Sequence, residues 1–338
     1  MNRTRAEEIY RRLVVVALML TIIVVVLGAW VRLTDAGLGC PDWPGCYGTL
    51  SVPDTAVEIE QAAEAFPERP LESGKAWREM IHRYFASALG LIILLMAITA
   101  IVNRRGAGQP VILPVLLVFL VIGQGLLGML TVTWLLTPLI VMSHLLGGLL
   151  TLSLLGWLTF SLNRKPRHAP VAPRHIAGLA KAGLAVVAMQ IALGGWTSAN
   201  YAALACPDFP TCQTEWWPQM DLGEGFILWR GLGTDYEGGV LDNAARTAIH
   251  MVHRLGALGV TVVLGALVLL TAMRVRAASV RRANVYVGLA LALQLSIGIT
   301  IVLESLPLFL ATAHNGVAAL LLLATINLNH ALGHSSAS

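Results

Sequence analysis

The chain has 338 residues, of which 56% are hydrophobic and only 12% are charged, and its formal net charge is +4. Its mean hydropathy of +0.71 lies far above the soluble average and excludes an ordinary soluble enzyme. The positive charge does not indicate nucleic-acid binding, because the basic residues cluster in the segments between apolar runs.

Eight apolar runs follow one another along the chain, each of about 20 residues, the length that crosses a bilayer. The first run has a basic start but no small-x-small cleavage site, so it is predicted to be a retained helix rather than a signal peptide. The sequence therefore predicts an all-α, polytopic membrane protein with eight transmembrane helices. The predicted spans are 13–33, 80–102, 111–133, 139–162, 176–198, 248–273, 284–303 and 309–329.

Basic residues on alternate sides of these spans predict the orientation. They precede the first helix and lie between helices two and three, four and five, and six and seven: Arg3, Arg5, Arg11, Arg12, Arg104, Arg105, Arg164, Lys165, Arg167, Arg174, Arg274, Arg276, Arg281 and Arg282. By the positive-inside rule, both termini are cytoplasmic. The long loops at 34–78 and 199–246 then lie on the outer side.

The two halves of the chain repeat the same motifs in the same order. Residues 27–30 (LGAW) and 40–46 (CPDWPGC) return 166 residues later as LGGW and CPDFPTC. The blocks at 81–83 (IHR) and 124–128 (QGLLG) return 170 or 171 residues later as VHR and QLSIG. An insertion of about five residues in the second half explains both offsets.

This duplication predicts two tandem four-helix bundles, residues 1–163 and 176–338, joined by a cytoplasmic linker at 164–175. Each half holds an even number of helices, so the repeat is parallel. That arrangement argues against a transporter built from inverted repeats.

All four cysteines lie in the two long outside loops, at identical spacing. Cys40 can form a small disulfide ring with Cys46, and Cys206 with Cys212, because this side of a bacterial membrane is oxidising. Both rings can be inert braces, or the Cys40–Cys46 pair can change its redox state. The chain has no Cys-x2-Cys pair, which argues against zinc.

Four histidines begin predicted helices at matching depth near the outer face: His82, His144, His253 and His314. A lone histidine in an apolar helix is commonly a satisfied polar group, whereas four at repeat-equivalent positions indicate a site, because ionisable groups are costly in a membrane. No carboxylate or thiolate lies at equivalent depth to complete a metal cage. Two histidines on neighbouring helices therefore suit axial ligation of a heme iron, His82 with His144 and His253 with His314.

The glycines around these histidines predict a close approach of a flat macrocycle, with simple helix–helix contact as the alternative for each. They are Gly90, Gly147, Gly148, Gly256, Gly259 and Gly316.

Polar residues beside the histidines distinguish the halves. Glu79 stands three residues before His82, where the second half has His250. The Glu79 carboxylate can be a general base or stabilise positive charge, or it can merely favour a helix N-terminus. Arg83 and Arg254 follow the histidines and can pair with heme propionates or reach lipid headgroups.

The run at 32–46 (RLTDAGLGCPDWPGC), followed by EMIHR at 79–83 and the three later histidines, resembles the heme A synthase family. The resemblance covers the chain from about residue 13 to 330, and the segment GLGCPDWP carries most of its specificity. It implies oxidation of the C8 methyl group of heme O to a formyl group, which gives heme A for terminal oxidase assembly.

The resemblance implies a role for each histidine pair. His82 and His144 match the site of the substrate heme O, where Glu79 is the expected catalytic residue. His253 and His314 match the ligands of a heme b cofactor that serves electron transfer.

The resemblance also assigns the cysteines, Cys40–Cys46 to heme handling and Cys206–Cys212 to a structural role. We expect a bacterial inner membrane location with periplasmic cysteine loops. The expected partners are membrane lipid, the farnesyltransferase that makes heme O, an electron acceptor of unknown identity and a second copy in a homo-oligomer.

Some features depart from the family pattern. Arg32 has no counterpart in the second half, where Ser198 takes its place, and the acidic stretch at 54–72 is either a partner surface or a solvated segment.

Two other classes of function would use only some of the residues described above. A di-heme b-type quinol oxidoreductase needs the histidines but not Glu79, and a membrane thiol oxidoreductase needs only the cysteines.

Overall fold

The computed structural model describes residues 5–104, 110–162 and 173–333. Within these ranges the chain forms ten helices and no extended strand, and eight of the helices are long and apolar enough to cross a membrane. The all-α, eight-span fold is therefore confirmed. The long helices are α1 (Arg5–Leu33), α3 (Ser73–Val102), α4 (Ile112–Thr133), α5 (Pro138–Leu162), α6 (Arg174–Ala199), α8 (Asn243–Arg274), α9 (Ala278–Leu303) and α10 (Leu308–Gly333).

Two short helices lie in the long loops, α2 (Ala56–Ala65) in the first and α7 (Leu222–Gly225) in the second. The Thr55 side chain accepts a hydrogen bond from the Glu58 amide, and Glu58 reaches back to the Thr55 amide, so a capping box begins α2. These bonds to the carboxylate hold the pKa of Glu58 below its usual value. Part of the acidic stretch thus forms a helix of its own.

Several long helices extend past the predicted spans. The spans were expected to begin at 13 and 80, whereas α1 begins at Arg5 and α3 at Ser73. Hydropathy marks only the apolar part of a helix, and the backbone ladder continues through the polar residues at its ends. Five of the basic residues used for orientation lie outside the described residues, as does most of the predicted linker: Arg3, Arg105, Arg164, Lys165 and Arg167.

The long helices pack in two groups of four with the same order of contacts. In the first, α1 and α4 each pack against both α3 and α5. In the second, α6 and α9 occupy the equivalent places and pack against α8 and α10. Consequently α3 and α5 lie at opposite corners of the first group, and α8 and α10 at opposite corners of the second. Contacts among α1, α5, α6 and α10 join the groups.

Each group has its own apolar core of interdigitated side chains, which is what holds transmembrane helices together when the surrounding lipid is equally apolar. Ile93 and Leu155 are completely buried in the first core, and Leu264 and Leu328 in the second.

The tight turns between the last two helices of each group share one backbone conformation. Leu135 and Leu136 have φ of 48° and 59°, and Ser305 and Leu306 have φ of 57° and 66°. A left-handed conformation in non-glycine residues is uncommon. Its occurrence at positions 170 residues apart follows the offset of the sequence repeat.

The second outside loop crosses to the first half of the molecule. The amide of Tyr236 donates to the carbonyl of Leu135 at 3.1 Å, and the Tyr236 ring is buried beside Leu38 and Leu136. Arg69 of the first loop pairs with Asp235 and Glu237 of the second at 2.6 and 2.8 Å. The loop that carries the sequence insertion therefore covers the outer end of the first group.

Candidate functional site

Each four-helix group holds one of the predicted histidine pairs. His82 on α3 and His144 on α5 belong to the first group, and His253 on α8 and His314 on α10 belong to the second. The expectation that each pair lies on neighbouring helices is wrong, because these helices occupy opposite corners of their groups. A ligand held by both rings would lie in the interior of the group.

Two of the histidines lie further along their helices than predicted. His82 and His253 follow the first residues of α3 and α8 by roughly two to three turns, because these helices begin at 73 and 243 rather than at 80 and 248. The helices of His144 and His314 begin within one residue of their predicted starts.

A glycine on a neighbouring helix lies against each of the four rings. A Cβ at Gly28 would be 3.1 Å from Cε1 of His82, and one at Gly194 would be 3.2 Å from Cε1 of His253. A Cβ at Gly128 would be 3.5 Å from Cε1 of His144, and one at Gly298 would be 3.0 Å from Cε1 of His314. A Cβ at Gly28, Gly194 or Gly298 would therefore press on its ring, whereas one at Gly128 would make ordinary van der Waals contact.

These residues fit a heme held by two axial histidines. The rings are partly buried, and the Nδ1 atoms of His82, His144 and His314 are inaccessible and have no hydrogen-bond partner, which is costly for a polar atom unless a ligand orders the ring. In the described part of the chain, no three His, Cys, Asp or Glu side chains gather to form a metal cage. A pair of histidines alone suits an iron whose other ligands come from a macrocycle.

Glu79 connects the first histidine helix to the first cysteine loop. Its side chain is buried, Oε2 accepts a hydrogen bond from the Cys40 amide at 2.9 Å, and Oε1 pairs with Arg83. In the second half His250 contacts the second outside loop in a similar way, with its Nδ1 3.1 Å from the carbonyl oxygen of Ala202. The position therefore anchors a loop in both halves, and only the first half does so with a carboxylate.

Arg83 and Arg254 bind the carbonyl groups of the cysteine loops. Arg83 donates to the carbonyls of Asp42 at 3.0 Å and Gly45 at 2.5 Å. Arg254 donates to Cys206, Asp208 and Thr211 in the equivalent ring at 2.8 to 3.1 Å. Sequence reasoning considered propionates and lipid headgroups for these arginines and missed this structural task.

Both predicted disulfides are formed, and all four sulfur-bearing residues are buried. An aspartate organises each ring from within. Asp42 accepts from the amides of Tyr47 and Gly48, and Asp208 accepts from Gln213 and Thr214. Hydrogen bonds from the Thr211 hydroxyl, then from these amides, hold the pKa of Asp208 below its usual value. Burial of the sulfurs favours bracing, because thiol exchange requires access.

Glutamines near the histidines are functional candidates that sequence reasoning missed. Gln190 approaches His253 and Gln294 approaches His314, each at about one hydrogen-bond length (3.0 and 3.1 Å). The repeated block contains Gln294 and its counterpart Gln124, each four residues before a glycine, whereas Gln190 has no glutamine counterpart in the first half. Gly147 and Gly256, expected to admit a macrocycle, instead face the amides of Gln124 and Gln190.

Comparison with known proteins gives one consistent result. A family model described as cytochrome oxidase assembly protein (COX15-CtaA) matches residues 11–326. A protein named heme A synthase from Shewanella oneidensis is 44% identical over 96% of both chains. Proteins of the same name from Erythrobacter litoralis and Granulibacter bethesdensis are 31% and 29% identical; the alignments cover 93% and 92% of this chain and 94% and 84% of theirs.

Proposed function

Because this chain belongs to the heme A synthase (COX15-CtaA) family, we infer that it oxidises heme O to heme A for the assembly of terminal oxidases. The observation that carries this conclusion is the family match over nearly the whole length of a chain whose interior holds two histidine pairs. It is a multi-pass membrane enzyme, and heme O is its substrate.

We propose that His82 and His144 hold the substrate heme, and that His253 and His314 hold a heme b cofactor. A bound heme b would supply reversible one-electron transfer to and from the site. In both pairs each histidine ring lies against a glycine of a neighbouring helix, which supports the binding of the same kind of ligand by both pairs. Only the first pair has a buried carboxylate beside it, which supports chemistry there.

Glu79 is proposed as the group that accepts a proton or stabilises charge during oxidation of the methyl group. When water supplies the oxygen of the formyl group, converting the methyl group releases protons as well as electrons, so that route needs a proton acceptor at the site. Glu79 is the one buried carboxylate among the described residues, and it lies one helical turn from His82. The Arg83 guanidinium and the Cys40 amide keep its side chain in place.

The surroundings of the enzyme follow from the same arrangement. We propose the inner membrane of a bacterium, with cytoplasmic termini and periplasmic cysteine loops, because the helix ends opposite the cysteine loops carry a set of described arginines: Arg5, Arg11, Arg12, Arg104, Arg174, Arg274, Arg276, Arg281 and Arg282. Heme O synthase is the proposed source of substrate, since an apolar heme passes between two membrane proteins without leaving the bilayer. The four histidines also suit the alternative, a di-heme electron-transfer protein.

Extraction of heme from the purified protein, produced together with a source of heme O, tests the function. Heme b together with heme A or heme O would support the synthase. Heme b alone, with no heme A formed in membranes that contain heme O, would reject it in favour of the electron-transfer protein.

A further inference from the structure

A glutamine precedes the histidine-facing glycine by four residues on three of the four helices that carry such a glycine. The pairs are Gln124 with Gly128 on α4, Gln190 with Gly194 on α6, and Gln294 with Gly298 on α9. Residues four apart lie on the same face of a helix, so each glutamine is directed towards the same histidine helix as its glycine.

Gln190 makes the most complete set of contacts. Its Nε2 lies 3.0 Å from Nδ1 of His253 and donates to the His253 carbonyl at 2.9 Å, so that one amide contacts both the ring and the backbone. Its Oε1 is buried and has no hydrogen-bond partner. Gln294 resembles it, with Nε2 3.1 Å from Nε2 of His314 and a buried, unpartnered Oε1.

On two of the histidine helices, a glycine leaves room for the amide group of a glutamine. Gly147 and Gly256 stand three residues after His144 and His253, and a Cβ at either would overlap the amide of Gln124 or Gln190. The space that sequence reasoning assigned to a macrocycle is therefore filled by a side-chain amide.

His82 lacks both features. Val24 stands four residues before Gly28, where the other helices have glutamine, and Phe85 stands three residues after His82, where Gly147 and Gly256 are found. Nδ1 of His82 and Nδ1 of His144 are both buried and have no hydrogen-bond partner. The first pair thus has no glutamine bonded to a ring nitrogen, whereas Gln190 and Gln294 contact the two rings of the second pair.

We propose that Gln190 and Gln294 are positioning residues that fix the ligand histidines of the second pair, and that the first pair, which has no such bond, is the one that releases its heme. This inference rests on the proposed function. A hydrogen bond to the second ring nitrogen fixes the tautomer and orientation of a ligand histidine, and its loss costs about 10- to 100-fold in metal affinity. A cofactor must stay bound, whereas a substrate must exchange, and the glutamine contacts lie at the two histidines of the cofactor pair.

The test measures heme release from the purified full-length protein to excess apomyoglobin. Wild type is expected to show a slow phase that is absent in His253→Ala and a fast phase that is absent in His82→Ala. Gln190→Leu should accelerate the slow phase about 10- to 100-fold and shift the midpoint potential of that heme. Gln190→Glu, which has no donor for the His253 carbonyl, should not restore the retention, and Met189→Leu, on the exposed side of α6, should behave as wild type.

The converse variant gives the first pair the missing amide. Val24→Gln combined with Phe85→Gly should slow the fast phase about tenfold or more. Unchanged release and potential in Gln190→Leu, or an unchanged fast phase in the double variant, would overturn the inference. If neither phase depends on His253 or His82, the proposed heme sites themselves fail, which is a different result.

Discussion

The Glu79 carboxylate accepts a hydrogen bond from the backbone amide of Cys40 at 2.9 Å. The same side chain pairs with Arg83, whose guanidinium binds the carbonyls of Asp42 and Gly45. One buried residue therefore links the first cysteine ring to the helix that carries His82. A catalytic and an anchoring role for Glu79 make different predictions, and an amide substitution separates them.

Glu79→Gln should lower heme A formation about 100-fold or more while leaving the first loop in place. The amide oxygen still accepts from Cys40, whereas the capacity to take a proton is lost, and general acid–base groups contribute on this scale. The ratio of heme A to heme O in extracts measures the loss of activity. The thermal stability of the variant shows whether the first loop stays in place. Full activity in Glu79→Gln would show that Glu79 only anchors the first loop. His250→Ala is the matched control, because it removes the equivalent loop contact in the other half.

Removing single histidines should separate the two sites. His253→Ala and His314→Ala should abolish the bound heme b, because each removes one of only two protein ligands to the iron. His82→Ala and His144→Ala should retain heme b and lose conversion of heme O. Absorption spectra and heme stoichiometry of the purified variants provide the measurement. Loss of heme b in His82→Ala together with its retention in His253→Ala would reverse the assignment.

The glycines beside the rings should be sensitive to a single added methyl group. Gly28→Ala places a Cβ 3.1 Å from Cε1 of His82, so the ring must move by a few tenths of an ångström. We expect a loss of roughly tenfold in heme A formation, in line with the disturbance of a ligand-orienting contact. Gly90→Ala is the control, because a Cβ there meets nothing within 4 Å. Equal activity in both variants would exclude a role for the Gly28 contact.

The sequence predicted the features that depend on composition and repetition. Eight spans, two disulfide rings and the four histidines could be found because apolar length and a repeat at fixed offset are linear properties of the chain. Which helices face each other could not be derived in this way, and His82 and His144 lie on opposite corners rather than on neighbours.

Contacts that join distant segments were also beyond sequence reasoning. Arg83 binds carbonyls that no side-chain pattern reveals, and its charge alone indicated propionates or lipid. Gln124 and Gln294 were visible in the repeated block and Gln190 was not, and the space for Gln124 and Gln190 depends on Gly147 and Gly256, which lie on other helices. Tyr236 reaches Leu135 through a loop whose inserted residues have no counterpart in the first half.

The ion pairs of Arg69 should control the second outside loop. Arg69→Ala removes the contacts to Asp235 and Glu237, at 2.6 and 2.8 Å, which are the ion pairs joining the two outside loops in the described residues. Because these groups are partly exposed, the global cost should be only about 1 kcal/mol, and the effect should appear locally, as faster proteolysis within residues 226–241. High salt should weaken the protection of wild type in the same direction.

Arg12→Ala is the control for these ion pairs, since it removes an exposed cation whose partner, Glu8, lies four residues away in the same helix. Its cleavage pattern should match that of wild type. Protection of the loop in Arg69→Ala would mean that the buried Tyr236 ring and its bond to Leu135 are sufficient to hold the loop over the first group. In that case Tyr236→Ala, and not the loss of charge, should expose residues 226–241 to protease.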